Sequence, residues 1–204
     1  PFPGPYIVKP RFGGSSIGIE IVEDVATARV VARTSAHLRG GAVLEPFRRD
    51  LVDLNISFRT APELEVSDLE RPLRTPDGAV YSYDEKYLGG RTGEAGLSSA
   101  PRELPAQVPA ELTAAAETLA RRVAAVTGLT GVVRVDFLYG EQTGELVVNE
   151  VNSVPGALAL YLWAPRRSAA EVLLDALREA RDAPQAGAPS GFGSGAALRA
   201  AGGI

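Results

Sequence analysis

With 204 residues, 45% of them apolar, the chain can fill one large core or two small ones. Its 21 basic and 25 acidic side chains leave it mildly acidic, which argues against a nucleic-acid binder, and no apolar run is long enough to cross a membrane. Cysteine is absent, so there is no disulfide framework and no thiolate metal site, and the lone His37 cannot build a zinc centre.

The chain opens on Pro1-Phe2-Pro3-Gly4-Pro5 without methionine, as expected of a piece of a longer protein, and enters a strand over 6–9. A glycine- and serine-rich loop over 11–18 leads to a second alternating segment over 17–22, so the pair reads as a hairpin with a long tip. Asp24 can cap a helix over 25–38, which Gly40-Gly41 ends and which carries His37 at its end or on its surface. Strands follow over 42–47 and 51–59. Prolines break 61–79 into loops with room for one strand, and 81–88 reads as a strand. The aperiodic stretch 89–105 reads as one long loop.

Pro109 opens a helix that runs to Thr127, with Leu112, Ala116, Leu119, Val123 and Val126 at three- and four-residue steps and Gly128 as its stop. Two strands, 131–139 and 145–151, flank the turn Gly140-Glu141-Gln142-Thr143-Gly144. An amphipathic helix over 168–182 starts at Ser168 with Glu171 three residues on, the pattern of a capping box. Beyond Ala183 the composition reduces to Gly, Ala, Pro and Ser, which predicts a disordered tail. The ordered part is α+β with mostly antiparallel strands.

Only two lysines, Lys9 and Lys86, stand among the basic residues of this Ala-, Gly- and Arg-rich chain. A compact point charge on a thin stem suits a phosphate in a narrow cleft better than the planar arginine fork. The strongest chemical pattern is the hairpin from Val132 to Asn152. Alternation puts Arg134 and Asp136 on one face of the first strand, and Glu150 and Asn152 on one face of the second. A turn centred on Gln142 sets Arg134 opposite Glu150 with Asp136 a diagonal neighbour. Asp, Glu and Asn oxygens gathered in this way suit Mg²⁺; the alternative is an exposed polar ribbon face. Gly13-Gly14-Ser15-Ser16-Ile17-Gly18 can bring backbone N–H groups and hydroxyls close to an anion, although it is not a Walker loop. Glu45-Pro46-Phe47 and Asp53 could hold an adenine edge and ribose hydroxyls.

The order Val8-Lys9-Pro10, Gly14-Ser15-Ser16-Ile17-Gly18, Val43-Leu44-Glu45, Glu85-Lys86-Tyr87, Arg134-Val135-Asp136-Phe137 and Asn149-Glu150-Val151-Asn152-Ser153-Val154-Pro155-Gly156 resembles the ATP-grasp superfamily, and within it the D-alanine–D-alanine ligases. The resemblance runs from about Tyr6 to Asp182. It implies an ATP-grasp fold, with 1–46 as part of the central subdomain carrying the glycine-rich lid. It makes 47–182 the C-terminal subdomain with the Mg-ATP and substrate site, followed by the tail 183–204. It implies that Lys9 contacts the inner phosphates of ATP, that Ser15 and its neighbours cover them, and that Lys86 approaches the outer phosphates. Glu45 would contact adenine, Phe47 would lie in the adjoining hinge, and Asp53 would hold the ribose where the family usually has Glu. Asp136, Glu150 and Asn152 would bind two Mg²⁺, with Mn²⁺ as a substitute. Arg134 would stabilise the oxyanion of the tetrahedral intermediate, aided by the Gly156 N–H, and Tyr87 would lie beside the substrate lid 88–100.

The implied activity is that of a cytoplasmic, ATP-dependent carboxylate–amine ligase acting on small molecules, working through an acyl phosphate and connected to peptidoglycan synthesis. A homodimer is among the assemblies such an enzyme could form. After Gly156 the family usually has a hydroxyl-rich stretch that recognises the second D-alanine. Here Ala157-Leu158-Ala159-Leu160-Tyr161 is apolar, which points to a larger or more apolar substrate. A ligase for another amino acid or a secondary metabolite is one alternative. A non-catalytic nucleotide-binding module is the alternative of another class, and a plain structural domain would bind no Mg-ATP at all.

Overall fold

The computed structural model describes residues 2–14, 16–73 and 101–184. The strand expected at 81–88 and the tail beyond 184 lie outside the described residues, as do Ser15, Lys86 and Tyr87.

A three-stranded antiparallel sheet comes first, in the order β2-β1-β3, from β1 (Tyr6–Pro10), β2 (Glu20–Val22) and β3 (Ala42–Pro46). Alternation sends Tyr6 and Val8 into a small core with Val22, Ala28 and Leu38, against helix α1 (Val25–Thr34). Asp24 caps that helix by accepting from the Thr27 N–H at 2.8 Å. Two expectations shift here. The helix stops at Thr34 because Ser35 is extended, and Ala36–Leu38 forms a separate 3-10 turn that buries Leu38 and leaves His37 exposed. The second strand is only three residues long, because Ile17 and Ile19 donate their N–H groups back to Gly14 and Ser16 and curl the loop into turns. Gly18 has φ +77°, and a Cβ there would lie 2.4 Å from that of His37, so only glycine fits this turn.

The larger sheet has the order β5-β4-β8-β9 and is antiparallel throughout: β4 (Leu51–Arg59), β5 (Glu65–Val66), β8 (Val132–Gly140) and β9 (Leu146–Asn152). One face carries Leu54, Ile56, Phe58, Val133, Val135 and Phe137, each at most 1% exposed. They pack on Leu112, Ala116, Ala120 and Ala124 of helix α2 (Ala110–Thr127), a stripe at four-residue steps whose small side chains let helix and sheet approach closely. Burying each large side chain is worth roughly 1.5–3 kcal/mol, so this layer dominates the stability of the larger unit. Gly128 ends the helix in the left-handed conformation, as its position predicts.

Two short strands were not separable in the sequence. β6 (Arg71–Pro72) pairs with β7 (Arg102–Glu103), so the stretch 89–105 is not one loop to its end. The opposite, polar face of the larger sheet is covered at one end by a 3-10 turn, Gly156–Trp163, and by helix α3 (Ala169–Asp182). Ser168 and Glu171 close α3 with the expected capping box. The helix is fastened to the sheet by buried Arg59, whose guanidinium donates to Asp175 at 2.6 Å and to Glu65 at 2.9 Å. Thr60 and the Gly131 N–H both donate to Glu179, at 2.6 and 3.0 Å.

Candidate nucleotide and metal site

The face of the small sheet turned away from its core carries Lys9. Ile7 pairs with Glu45 and Lys9 with Val43, so Lys9 and Glu45 are diagonal neighbours on one face. Their charged ends meet at 2.6 Å, partly exposed. Phe47 follows the strand end, where its N–H donates to the Pro5 carbonyl at 2.8 Å and Arg49 lies 5.7 Å from its ring. Asp53 stands on β4 opposite Leu138, on the same face as Asn55. Lys9, Glu45 and Phe47 therefore belong to the small sheet and its exit, and Asp53 to the larger one.

On the larger sheet, the register expected for the hairpin is corrected. Arg134 faces Asn152, and Asp136 faces Glu150 directly. The turn is centred between Gln142 and Thr143 rather than on Gln142. In addition, the ladder slips between Asp136 and Phe137, where Phe137 pairs with Val148 and leaves Asn149 as an extra residue on β9. The bulge carries Glu150 and Asn152 onto the polar face. All four residues share that face, as alternation requires. The Arg134 guanidinium forks onto Asp136 at 2.6 and 2.9 Å, and the Asn152 amide donates to the same carboxylate at 3.0 Å. Burial works against the Arg134 charge, but the hydrogen bonds and charge of Asp136 outweigh it and hold its pKa above the ordinary value.

Two carboxylates and one side-chain amide on adjacent strands form an all-oxygen donor set. That chemistry fits a hard divalent cation such as Mg²⁺, which needs few protein ligands. Among the described residues no group of three or more His, Cys, Asp and Glu side chains is placed to hold a metal. The fit therefore rests on Asp136 and Glu150 facing each other, with Asn152 beside them.

The polar row extends in the other direction across β4. Asn55 is the cross-strand partner of Asp136, and its backbone N–H and C=O both pair with Glu70. Glu70 is 3% exposed. Its carboxylate accepts from the Asn55 amide at 3.0 Å and the Tyr161 hydroxyl at 3.1 Å, and Arg102 lies 3.1 Å from its other oxygen. Burial pushes the Glu70 carboxyl above its usual range despite these donors; burial and then the Glu70 charge raise the Tyr161 phenol likewise. Sequence reasoning missed Asn55, Glu70 and Arg102. The alternation of Asp53 and Asn55 along β4 was the one available signal, since Glu70 and Arg102 reach the row only through tertiary pairing.

The turn after Gly156 has an unusual backbone. Ala157, Leu158 and Ala159 all have φ near +50°. A left-handed conformation costs an L-residue roughly 1–2 kcal/mol, so three in succession persist only where the surroundings fix them. Ala159 is buried with Leu162, Trp163, Val132 and Val172, and Leu160 and Tyr161 pack against them. The apolar character expected to line a substrate pocket is therefore spent in large part on this cluster, with only Ala157 and Leu158 outside it.

A three-stranded sheet with its helix, followed by a four-stranded antiparallel sheet with one helical and one polar face, is the ATP-grasp architecture. The structure matches D-alanyl-alanine synthetase A from Vibrio cholerae O1 biovar eltor with a TM-score of 0.68 at 22% identity, covering 85% of this chain and 51% of that one. It matches the VanG D-Ala:D-Ser ligase from Enterococcus faecalis with a TM-score of 0.67 at 22% identity, covering 86% and 49%. In sequence, the family described as "D-ala D-ala ligase C-terminus" matches residues 2–172, and the chain belongs to that family. The D-alanine–D-alanine ligase of Thermosipho africanus is 31% identical over 159 residues, 78% of this chain and 41% of its own length. The chain thus spans less than half the length of the curated relatives it matches. Among the described residues no helix is long and apolar enough to cross a membrane.

Proposed function

We propose that this chain is the nucleotide- and metal-binding part of a cytoplasmic ATP-dependent ligase that joins a carboxylate to an amine, of the D-alanine–D-alanine ligase type. The observation that carries this is the polar row Arg134, Asp136, Glu150 and Asn152 on one sheet face, in a chain of that family. Residues 1–46 supply the lid-bearing subdomain and 47–182 the subdomain with the reacting groups. Lys9 and Lys86 hold ATP phosphates, Ser15 covers them, Glu45 and Phe47 receive adenine and Asp53 the ribose. Asp136, Glu150 and Asn152 would hold two Mg²⁺, and the bound ions would supply neutralisation of charge on the transferring phosphoryl group.

The γ-phosphoryl passes to the substrate carboxylate, and the amine displaces phosphate from the acyl phosphate. Arg134, already charged and half-buried, stabilises the negative charge that develops in this second step, with the Gly156 N–H beside it. Tyr87 is assigned to keeping water from the acyl phosphate. Protein nucleophiles have no part in this scheme, which suits a chain without cysteine and with a single histidine.

Ala157 and Leu158 stand where the family usually carries hydroxyls, and they favour a second substrate bulkier or more apolar than D-alanine. The test is phosphate release from ATP by the full-length protein with a panel of D- and L-amino acids and amines, with product masses. Amide products formed only with ATP and a divalent cation are expected, best with bulky partners. Phosphate release with no panel member would overturn the ligase reading, and D-alanyl-D-alanine as the dominant product would overturn the bulkier substrate alone.

A further inference from the structure

Glu70 belongs to no motif and none of the roles above uses it, yet it is the most deeply buried carboxylate in the described polar face. Three side chains from three separate segments converge on it: Asn55 from β4, Arg102 from β7 and Tyr161 from the left-handed turn. The Arg102 guanidinium carbon also lies over the Tyr161 ring, 4.3 Å from its centroid, so the ring is held at its hydroxyl and on its face. A buried ion pair between Glu70 and Arg102 could by itself be replaced by apolar packing at little cost. What apolar packing could not reproduce is the convergence of Asn55 and Tyr161 on one carboxylate oxygen.

That oxygen joins two parts of the proposed site. Asn55 is the cross-strand partner of Asp136, while Tyr161 lies two residues past the strained residues Ala157, Leu158 and Ala159 in the turn that begins at Gly156. A second fastening runs in parallel one register step away. The Trp163 indole N–H donates to the Ser57 hydroxyl at 3.2 Å, and Ser57 is the cross-strand partner of Arg134. The turn is thus tied to the very strand positions that back Arg134 and Asp136. A tripeptide in the left-handed region needs such ties to hold one conformation.

We propose that Glu70 is a positioning residue which, through the Tyr161 hydroxyl, locks the Gly156–Trp163 turn in register with Arg134 and Asp136. This rests on the ligase reading for its catalytic consequence, but the lock itself is a structural claim. It acts on the acyl-transfer step, where the Gly156 N–H and the Arg134 guanidinium must face the same oxygen, and leaves the nucleotide face of Lys9 and Glu45 untouched. Small displacements of groups that stabilise a transition state are costly while ground-state binding survives.

The experiment compares Glu70→Ala, which leaves no acceptor for the Tyr161 hydroxyl, Tyr161→Phe and the double variant in the full-length protein. Amide formation should lose about tenfold or more in kcat in each single variant, with KM for ATP within about twofold of wild type. The double variant should be no worse than the poorer single one, because both remove the same tie. Trp163 is the chain's single tryptophan in the described sequence and lies in the same turn, so its emission and acrylamide quenching report the lock without any turnover. Increased quenching in Tyr161→Phe at an unchanged melting temperature supports the proposal even if no substrate pair is found and the ligase reading fails. Wild-type quenching in both single variants, or losses in kcat that add in the double variant, would overturn it.

Discussion

Arg134 and Lys9 illustrate how a side chain can be engaged before its ligand arrives. The Lys9–Glu45 pair is partly exposed, and such pairs are worth only about 0–1 kcal/mol, so an incoming phosphate can take the lysine at little cost. Asp136 is held more firmly, by a two-pronged arginine and an amide. A cation entering between Asp136 and Glu150 therefore competes with Arg134 for at least one carboxylate oxygen. We predict that Asp136→Ala and Glu150→Ala each abolish the metal-dependent part of ATP binding in the full-length protein. Calorimetry with and without EDTA measures it. Nucleotide affinity unchanged in both variants would rule out a metal at this row.

The elements divide by how much of their cause is local. Strand Leu51–Arg59, helices Ala110–Thr127 and Ala169–Asp182 and the hairpin strands were readable because periodicity, caps and turn residues agree within each segment. The two-residue strands Arg71–Pro72 and Arg102–Glu103 were not, since each exists only through the other. The slip at Asp136 was equally hidden: a single extra residue, Asn149, changes every partner beyond it, and no side chain announces a bulge. Side-chain alternation still gave the right face for Arg134, Asp136, Glu150 and Asn152, so the row was legible and its register was not. The helix–sheet interface carries its own prediction. Ala120 is fully buried against the larger sheet, and Ala120→Leu must force the helix off it. A loss of about 1–3 kcal/mol is expected from urea unfolding, and stability within error of wild type would mean that the interface is looser than drawn.

Each sheet buries one face on a helix of its own and leaves the other for polar groups, so the molecule as a whole must tolerate charge close to its core. Two carboxylates, half-buried Glu65 and buried Glu70, do so in opposite senses. Glu65 lies between Arg59 and Arg167; burial raises its pKa, but the two guanidiniums outweigh this and hold it below the ordinary value. In the window between its folded value and the ordinary one, the unfolded chain binds more protons. Its contribution to stability is therefore present above the ordinary carboxylate pKa and lost as pH falls through the folded value. Glu70 is the reverse case, with its folded pKa raised by burial. There the folded chain binds more protons, so its contribution is greatest below the ordinary value and declines as pH rises through the folded one. Urea unfolding of wild type, Glu65→Gln and Glu70→Gln from about pH 3 to about pH 7 separates the two. Glu65→Gln should flatten the loss of stability on the acid side. Glu70→Gln should make the rise of stability above the carboxylate range steeper than in wild type. Parallel pH profiles for all three proteins would show that neither carboxylate titrates differently in the folded state, and the electrostatic account of both clusters would fall with them.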